Sequence, residues 1–217
     1  MSKQKWKSDP SLYNCKRDKN NKKKLDYYDT YIREFLSADP VRDWESIDRC
    51  IQLWKWCKSF IDIDKKTKVL DCGTKDGQFA EWLEGQGYFS LGIEIDDQYV
   101  EYAQSLDRPV LKGDVCNIAI EDNFFDVVFS HHVLGLCPDY KKAYQEMVRV
   151  CKPNGLIISC NDVPGNPKKH YSLISSIKEL DVIFKNIDNV TFKYYDYWLK
   201  EMPKEFLVVL EKNGITE

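Results

Sequence analysis

Residues 69–80 read V-L-D-C-G-T-K-D-G-Q-F-A, a short apolar run that ends on an acid and passes at once into two glycines. Val69 and Leu70 suit a strand, Asp71 its polar end, and Gly73 and Gly77 a loop with unusual backbone freedom. A helical pattern follows over 76–85. The same alternation recurs outward from this stretch. Apolar runs KVLDC (68–72), FSLGIEI (89–95), PVLKG (109–113), FDVVFS (125–130) and LIISC (156–160) are separated by helical patterns at 76–85, 97–106 and 139–151. The last of these helices opens at an Asp cap and stops at P-N-G. Strands alternating with helices predict a parallel sheet with crossovers.

The two ends of the chain read differently. After a helix expected over 172–184, VTFKYYDYW (190–198) and EFLVVLEK (205–212) form two strand-like runs joined through Pro203, an antiparallel pair closing the sheet edge. Before the first strand, Trp44, Ile47, Ile51, Trp54, Cys57 and Ile61 recur at three- and four-residue spacing, which predicts an amphipathic helix over 43–61. A shorter helix is expected over 26–36. The organisation expected is a basic flexible tail (1–24), N-terminal helices packing on the core (25–65) and one α/β domain (66–217).

Composition fits that plan. With 217 residues, 43% of them hydrophobic and 31% charged, the chain can bury one sizeable core and is not disordered overall. No run approaches the roughly 20 apolar residues of a membrane span, and the polar start MSKQKWKSDP lacks a secretory apolar region, so a cytoplasmic protein without a membrane partner is expected. The eight cysteines are scattered, with no C-x-x-C pair and no His at ligand spacing, so they read as reduced core residues and no metal site is expected. Charge is uneven: residues 1–24 carry nine Lys or Arg against two Asp, whereas the remainder is acidic. The run KRDKNNKKK (16–24) reads first as a solvated tail and second as an arm for a polyanion.

In an open parallel sheet ligands bind beyond the carboxyl ends of the strands. Polar residues gather there: Asp71 with Gly73 and Gly77, then Glu94, then Asp114, then Ser130 with His131 and His132, then Asn161 and Asp162. The loop glycines stand four apart rather than in the dinucleotide pattern, which disfavours a pyrophosphate. A ligand with a ribose, an adenine and a cationic group suits the acids better. Glu94 follows Gly73 by 21 residues, a suitable interval for a carboxylate that accepts both ribose hydroxyls.

Across roughly 66–161 the chain resembles the class I S-adenosylmethionine-dependent methyltransferases of the type 11-like group. VLDCGTKDGQFA looks like the first motif, LGIEID the acidic ribose motif and KGDV the adenine motif. FFDVVFSHHVLGLC followed by YQEMVRVCKPNGLIIS is similar to the strand-four and strand-five signature, with its specific E-x-x-R-V-x-K-P-x-G string. The resemblance implies a Rossmann-like α/β fold: a mostly parallel seven-stranded sheet with antiparallel C-terminal edge strands and helices on both faces. It implies S-adenosyl-L-methionine as cofactor and S-adenosyl-L-homocysteine as product. Asp71, Gly73 and Gly77 would form the methionine-side loop, Glu94, beside Ile95, would hold the ribose, Asp114 with Val115 would meet the adenine, and Ser130 with His131 would face the transfer region. Lys75 stands where the family usually has glycine, so its side chain must point away from the ligand.

Methyl transfer depends mainly on in-line positioning, plus removal of a proton where the acceptor is a hydroxyl or amine. His131 and His170 are the favoured candidates for that base, ahead of His132. Asp126, at the opposite end of strand four, reads as structural. SHHV stands where an exocyclic-amine DNA methyltransferase carries Asn or Asp before Pro-Pro-aromatic, and there is no Pro-Cys nucleophile. The leading expectation is therefore methylation of a small molecule or sugar-type metabolite. Behind it stand methylation of RNA or protein recruited by the basic tail, and a non-catalytic cofactor-binding module.

Overall fold

The computed structural model describes residues 44–58, 63–162, 177–195 and 205–214. The tail at 1–24, the helix expected at 26–36, His170 and the link through Pro203 lie outside the described residues. The chain divides into two compact units, Met1–Ile61 and Asp62–Glu217. The first contributes one described helix, α1 (Trp44–Cys57), in which Cys50, Leu53 and Trp54 are buried; of the predicted stripe Trp54 is buried and Ile47 and Ile51 are half-buried, so the buried side is centred on Leu53 and Trp54.

The second unit is built on a seven-stranded sheet. Its strands are β1 (Lys68–Cys72), β2 (Phe89–Glu94), β3 (Val110–Lys112), β4 (Phe125–His131), β5 (Cys151–Asp162), β6 (Val190–Tyr195) and β7 (Glu205–Lys212), in the spatial order β3-β2-β1-β4-β5-β7-β6. The first five pair in parallel, and β7 lies antiparallel between β5 and β6. Helices α2 (Gln78–Gly85), α3 (Asp97–Ser105), α4 (Tyr140–Val150) and α5 (Ile177–Lys185) connect them. Right-handed crossovers running outward from β1 to β3, and then the other way from β4 to β5, put helices on both faces. The central strands are accordingly buried along nearly their whole length, without alternation: Val69, Leu70, Asp71 and Cys72 are all buried. The order reverses between β1 and β4, and there the crevice of an open sheet forms.

The helix starts follow their caps. Asp96 accepts from the Gln98 amide at 2.8 Å ahead of α3, and Asp139 from the Lys142 amide at 3.1 Å ahead of α4. Strand β5 begins at Cys151, earlier than the apolar run 156–160 suggests. Phe125 pairs with Cys151, and the register then jumps so that Val127 pairs with Leu156. The P-N-G segment forms this bulge rather than a plain helix stop. A Cβ on Gly155 would lie 2.8 Å from the Asp126 carbonyl, so only glycine lets the two strands approach there.

Candidate active site

The loop after β1 is held by its neighbours. The amides of Gly73 and Thr74 both donate to the Ile93 carbonyl, at 2.8 and 3.0 Å, which folds the loop over the end of β2. Gly73 has φ of 69°, and a Cβ there would lie 2.3 Å from Val133 Cγ2, just beyond β4. Gly77, with φ of 78°, is excluded from carrying a Cβ by Val110 Cγ2 on β3, also 2.3 Å away. The two glycines are therefore fixed by packing as well as by φ.

Lys75 has φ of 56°, so it occupies the left-handed region that a glycine would fill without strain. Its amide donates to Glu94 Oε2 at 2.9 Å, and its ammonium lies 5.8 Å from the centre of the Tyr99 ring on α3. Behind it Arg108 locks the loop, donating to the Asp76 carbonyl at 2.9 Å and pairing with the Asp76 carboxylate at 3.0 Å and with Glu81 at 2.7 Å.

Two carboxyl groups define the electrostatics. Asp71 is buried at the end of β1 and accepts the Thr74 hydroxyl at 2.6 Å. Burial raises its pKa to about 7; the Thr74 hydrogen bond opposes that rise and the nearby Glu94 charge adds to it. Glu94 is raised as well, chiefly by burial, against three stabilising amides. Those amides are Lys75 on Oε2 and Ile95 and Asp96 on Oε1, at 2.9, 2.7 and 2.9 Å. A carboxylate has about four lone-pair sites, so Oε2 keeps an acceptor position for a ligand hydroxyl.

Asp114 and Val115 follow β3. Asp114 turns the chain by accepting the Cys116 amide at 2.8 Å, and Val115 is buried. Ser130 lies at the end of β4 opposite Cys72 of β1, fully buried, and its hydroxyl has no hydrogen-bond partner among the described residues. His131 and His132 follow it, their rings edge to face at 4.3 Å. All described members of the expected set thus lie at or just beyond the carboxyl ends of β1 to β4. Asp71, Lys75, Glu94 and Ile95 share one hydrogen-bond network through Thr74 and the backbone.

Thr74, Tyr144 and Ser159 escaped the sequence reading, which names Asn161 as a strand-end residue and Asp126 as structural. Thr74 fits only because β2 carries glycine beside it: a Cβ on Gly92 would lie 2.5 Å from Thr74 Cγ2. A glycine inside a strand was the available signal. Tyr144, Ser159 and Asn161 form a buried polar group under the β5 end, the Tyr144 hydroxyl 3.1 Å and the Asn161 amide 2.7 Å from Ser159 Oγ. Asp126 sits at the other end of the sheet, accepting the Lys68 amide at 2.8 Å and pairing with Lys152 at 2.7 Å, a structural tie.

Known proteins share this arrangement. A methyltransferase domain family matches residues 70–159. A demethylmenaquinone methyltransferase of Staphylococcus epidermidis is 32% identical over 117 residues, 49% of this chain and 48% of that protein, so the chain spans about half the length of this relative. The enzyme of the same name from Bacillus cereus is 29% identical over 172 residues, covering 71% of this chain and 72% of its own. A solved S-adenosylmethionine-dependent methyltransferase of Thermotoga maritima superposes with a TM-score of 0.60 at 17% identity, over 87% of this chain and all of that one, and shares the fold. With the glycine loop, the acids at successive strand ends and the strand order all in place, residues 70–159 match a methyltransferase domain family, and the sheet built on them has the fold of solved S-adenosylmethionine-dependent methyltransferases.

Proposed function

We propose that this protein transfers the methyl group of S-adenosyl-L-methionine to a small acceptor molecule. The observation that carries the reading is the pairing, across the neighbouring carboxyl ends of β1 and β2, of a looped Glu94 carboxylate that keeps an acceptor position with the buried acid Asp71. Glu94, at the end of β2, suits the ribose hydroxyls, and Asp114 with Val115 the adenine. Asp71, Gly73 and Gly77 suit the methionine end, where a cation would favour the ionised form of Asp71. Ser130 offers a buried hydroxyl at the same edge, which a polar ligand group would satisfy.

The cofactor supplies an already activated methyl on a sulfonium. The chain's part is to hold donor and acceptor in line and to keep water out. His131, at the end of β4, and His170 are the candidates to take a proton from an acceptor hydroxyl. The relatives' name specifies a demethylated quinone, and small aromatic acceptors of that class are the first to test. Titration calorimetry with S-adenosylmethionine and S-adenosylhomocysteine tests the site. Wild type should bind with micromolar Kd, and Glu94→Ala should weaken binding about tenfold or more, with Glu94→Gln intermediate. Absence of binding by the folded wild type would overturn the reading.

A further inference from the structure

We infer that His131, His132 and Cys160 form a binding site for a borderline-soft divalent metal ion, zinc above all, at the carboxyl edge of β4 and β5. One ligand atom from each of the three lies within 4.8 Å of the others. Sequence spacing hides this cluster, because topology rather than a motif assembles it. His131 pairs directly with Cys160 across the parallel strands, so the two side chains share a face of the sheet. The next residue of a regular strand would point to the opposite face. His132 breaks that alternation: its φ is 57°, in the left-handed region, which His, Asn and Asp enter more readily than other side chains. The turn brings its ring against that of His131 at 4.3 Å and 85°, and the His132 amide donates to the Cys160 carbonyl at 2.9 Å.

The donor set selects the ion. Two imidazoles and one thiolate suit zinc, and disfavour magnesium and calcium, which take oxygen ligands. Around zinc, bonds of about 2.0 to 2.3 Å place tetrahedral ligand atoms about 3.4 to 3.6 Å apart, so closing the cluster needs about 1 Å of side-chain rotation. Cys160 is fully buried while both histidines are partly exposed, so the ion would seat on the thiolate with its remaining position toward solvent. Binding would release the thiol proton to solvent. The site stands on this geometry alone. That its open position polarises a hydroxyl or thiol of the acceptor rests on the proposed methyl transfer, and with His131 ligated the proton would then leave from the metal-bound acceptor.

The test uses the full chain, stripped of metal and titrated with Co(II) and then Zn(II), without cofactor. The expected result is one Co(II) per chain with tetrahedral d–d bands and a thiolate-to-cobalt charge-transfer band, both lost when zinc displaces cobalt. Cys160→Ser should abolish the charge-transfer band. His132→Asn, which keeps a residue tolerant of the left-handed backbone, should weaken binding about tenfold or more while circular dichroism stays that of wild type. No stoichiometric binding, or a thiolate band that survives in both variants, would overturn the proposal. Calorimetry with S-adenosylmethionine on the same stripped protein separates this failure from failure of the cofactor reading.

Discussion

At position 71 burial outweighs hydrogen bonding. The Thr74 hydroxyl favours the carboxylate, yet the acid still titrates near 7, against 3.8 for an exposed aspartate. Between those values the unfolded chain has released a proton that the folded chain keeps. The stabilising contribution of the group is therefore complete below about pH 4 and is lost as pH rises through about 7. Asp71→Asn has no such titration and can still accept from Thr74. Its stability relative to wild type should increase by about 1 to 3 kcal/mol between about pH 5 and about pH 8, read by thermal unfolding at both. A difference that does not move with pH would remove burial as the cause. Lys75 shows the opposite balance. Its left-handed backbone costs about 1 kcal/mol, but glycine there would free the unfolded chain by about 0.4 to 1 kcal/mol. Lys75→Gly should therefore change stability by less than about 1 kcal/mol, whereas β-branched Lys75→Val should lose about 2 or more, measured by urea unfolding. Residue identities at the strand ends were legible because acids and glycines there have few structural uses. The left-handed backbone at His132 was not, since nothing in the string SHHV marks a positive φ.

The E-x-x-R string, read from sequence only as a family signature, has a mechanical cause at the scale of the element. Arg149, in the last turn of α4, donates to the carbonyls of Ile118 and Ile120 at 2.6 and 2.9 Å and pairs with Asp122 at 2.6 Å and Glu146 at 2.8 Å. Glu146 in turn accepts the Ile118 amide at 2.8 Å. One fork thus fastens the loop between β3 and β4 to α4, and with it the Asp114–Val115 corner just upstream. From the other side Lys212 of β7 donates to the carbonyls of Val148 and Cys151 at 2.9 and 2.8 Å, closing the end of α4 where cations are favoured. Arg149→Met fills similar volume but leaves two carbonyls and the Glu146 carboxylate short of donors. It should cost about 2 to 4 kcal/mol in urea unfolding and raise hydrogen exchange across 114–122. Exchange confined to the helix would show that the loop does not depend on the fork. Element existence was readable here because period and caps agreed; the β5 bulge was not, because its cause is the non-local approach of Gly155 to Asp126.

For the whole molecule, topology does what no local pattern can. The reversal of strand order between β1 and β4 brings Asp71, Glu94 and Ser130, spread over 60 positions, to one sheet edge, and sets Cys160 beside His131. The alternation of elements made a parallel sheet foreseeable; its strand order and the side-chain cluster that order creates were not. Charge is organised on the same scale. The segment 1–24 carries a net +7 and residues 25–217 a net −10, so the tail can contact a polyanion that the acidic body would repel. Removing 1–24 should leave the S-adenosylmethionine Kd within about threefold, because the site is built from 71 onward. With a small acceptor, kcat and KM should also stay within about threefold. If instead KM for an RNA or protein acceptor rises, and its salt dependence disappears with the tail, the acceptor is a macromolecule drawn in by that charge, since counterion release makes such contacts weaken steeply with salt.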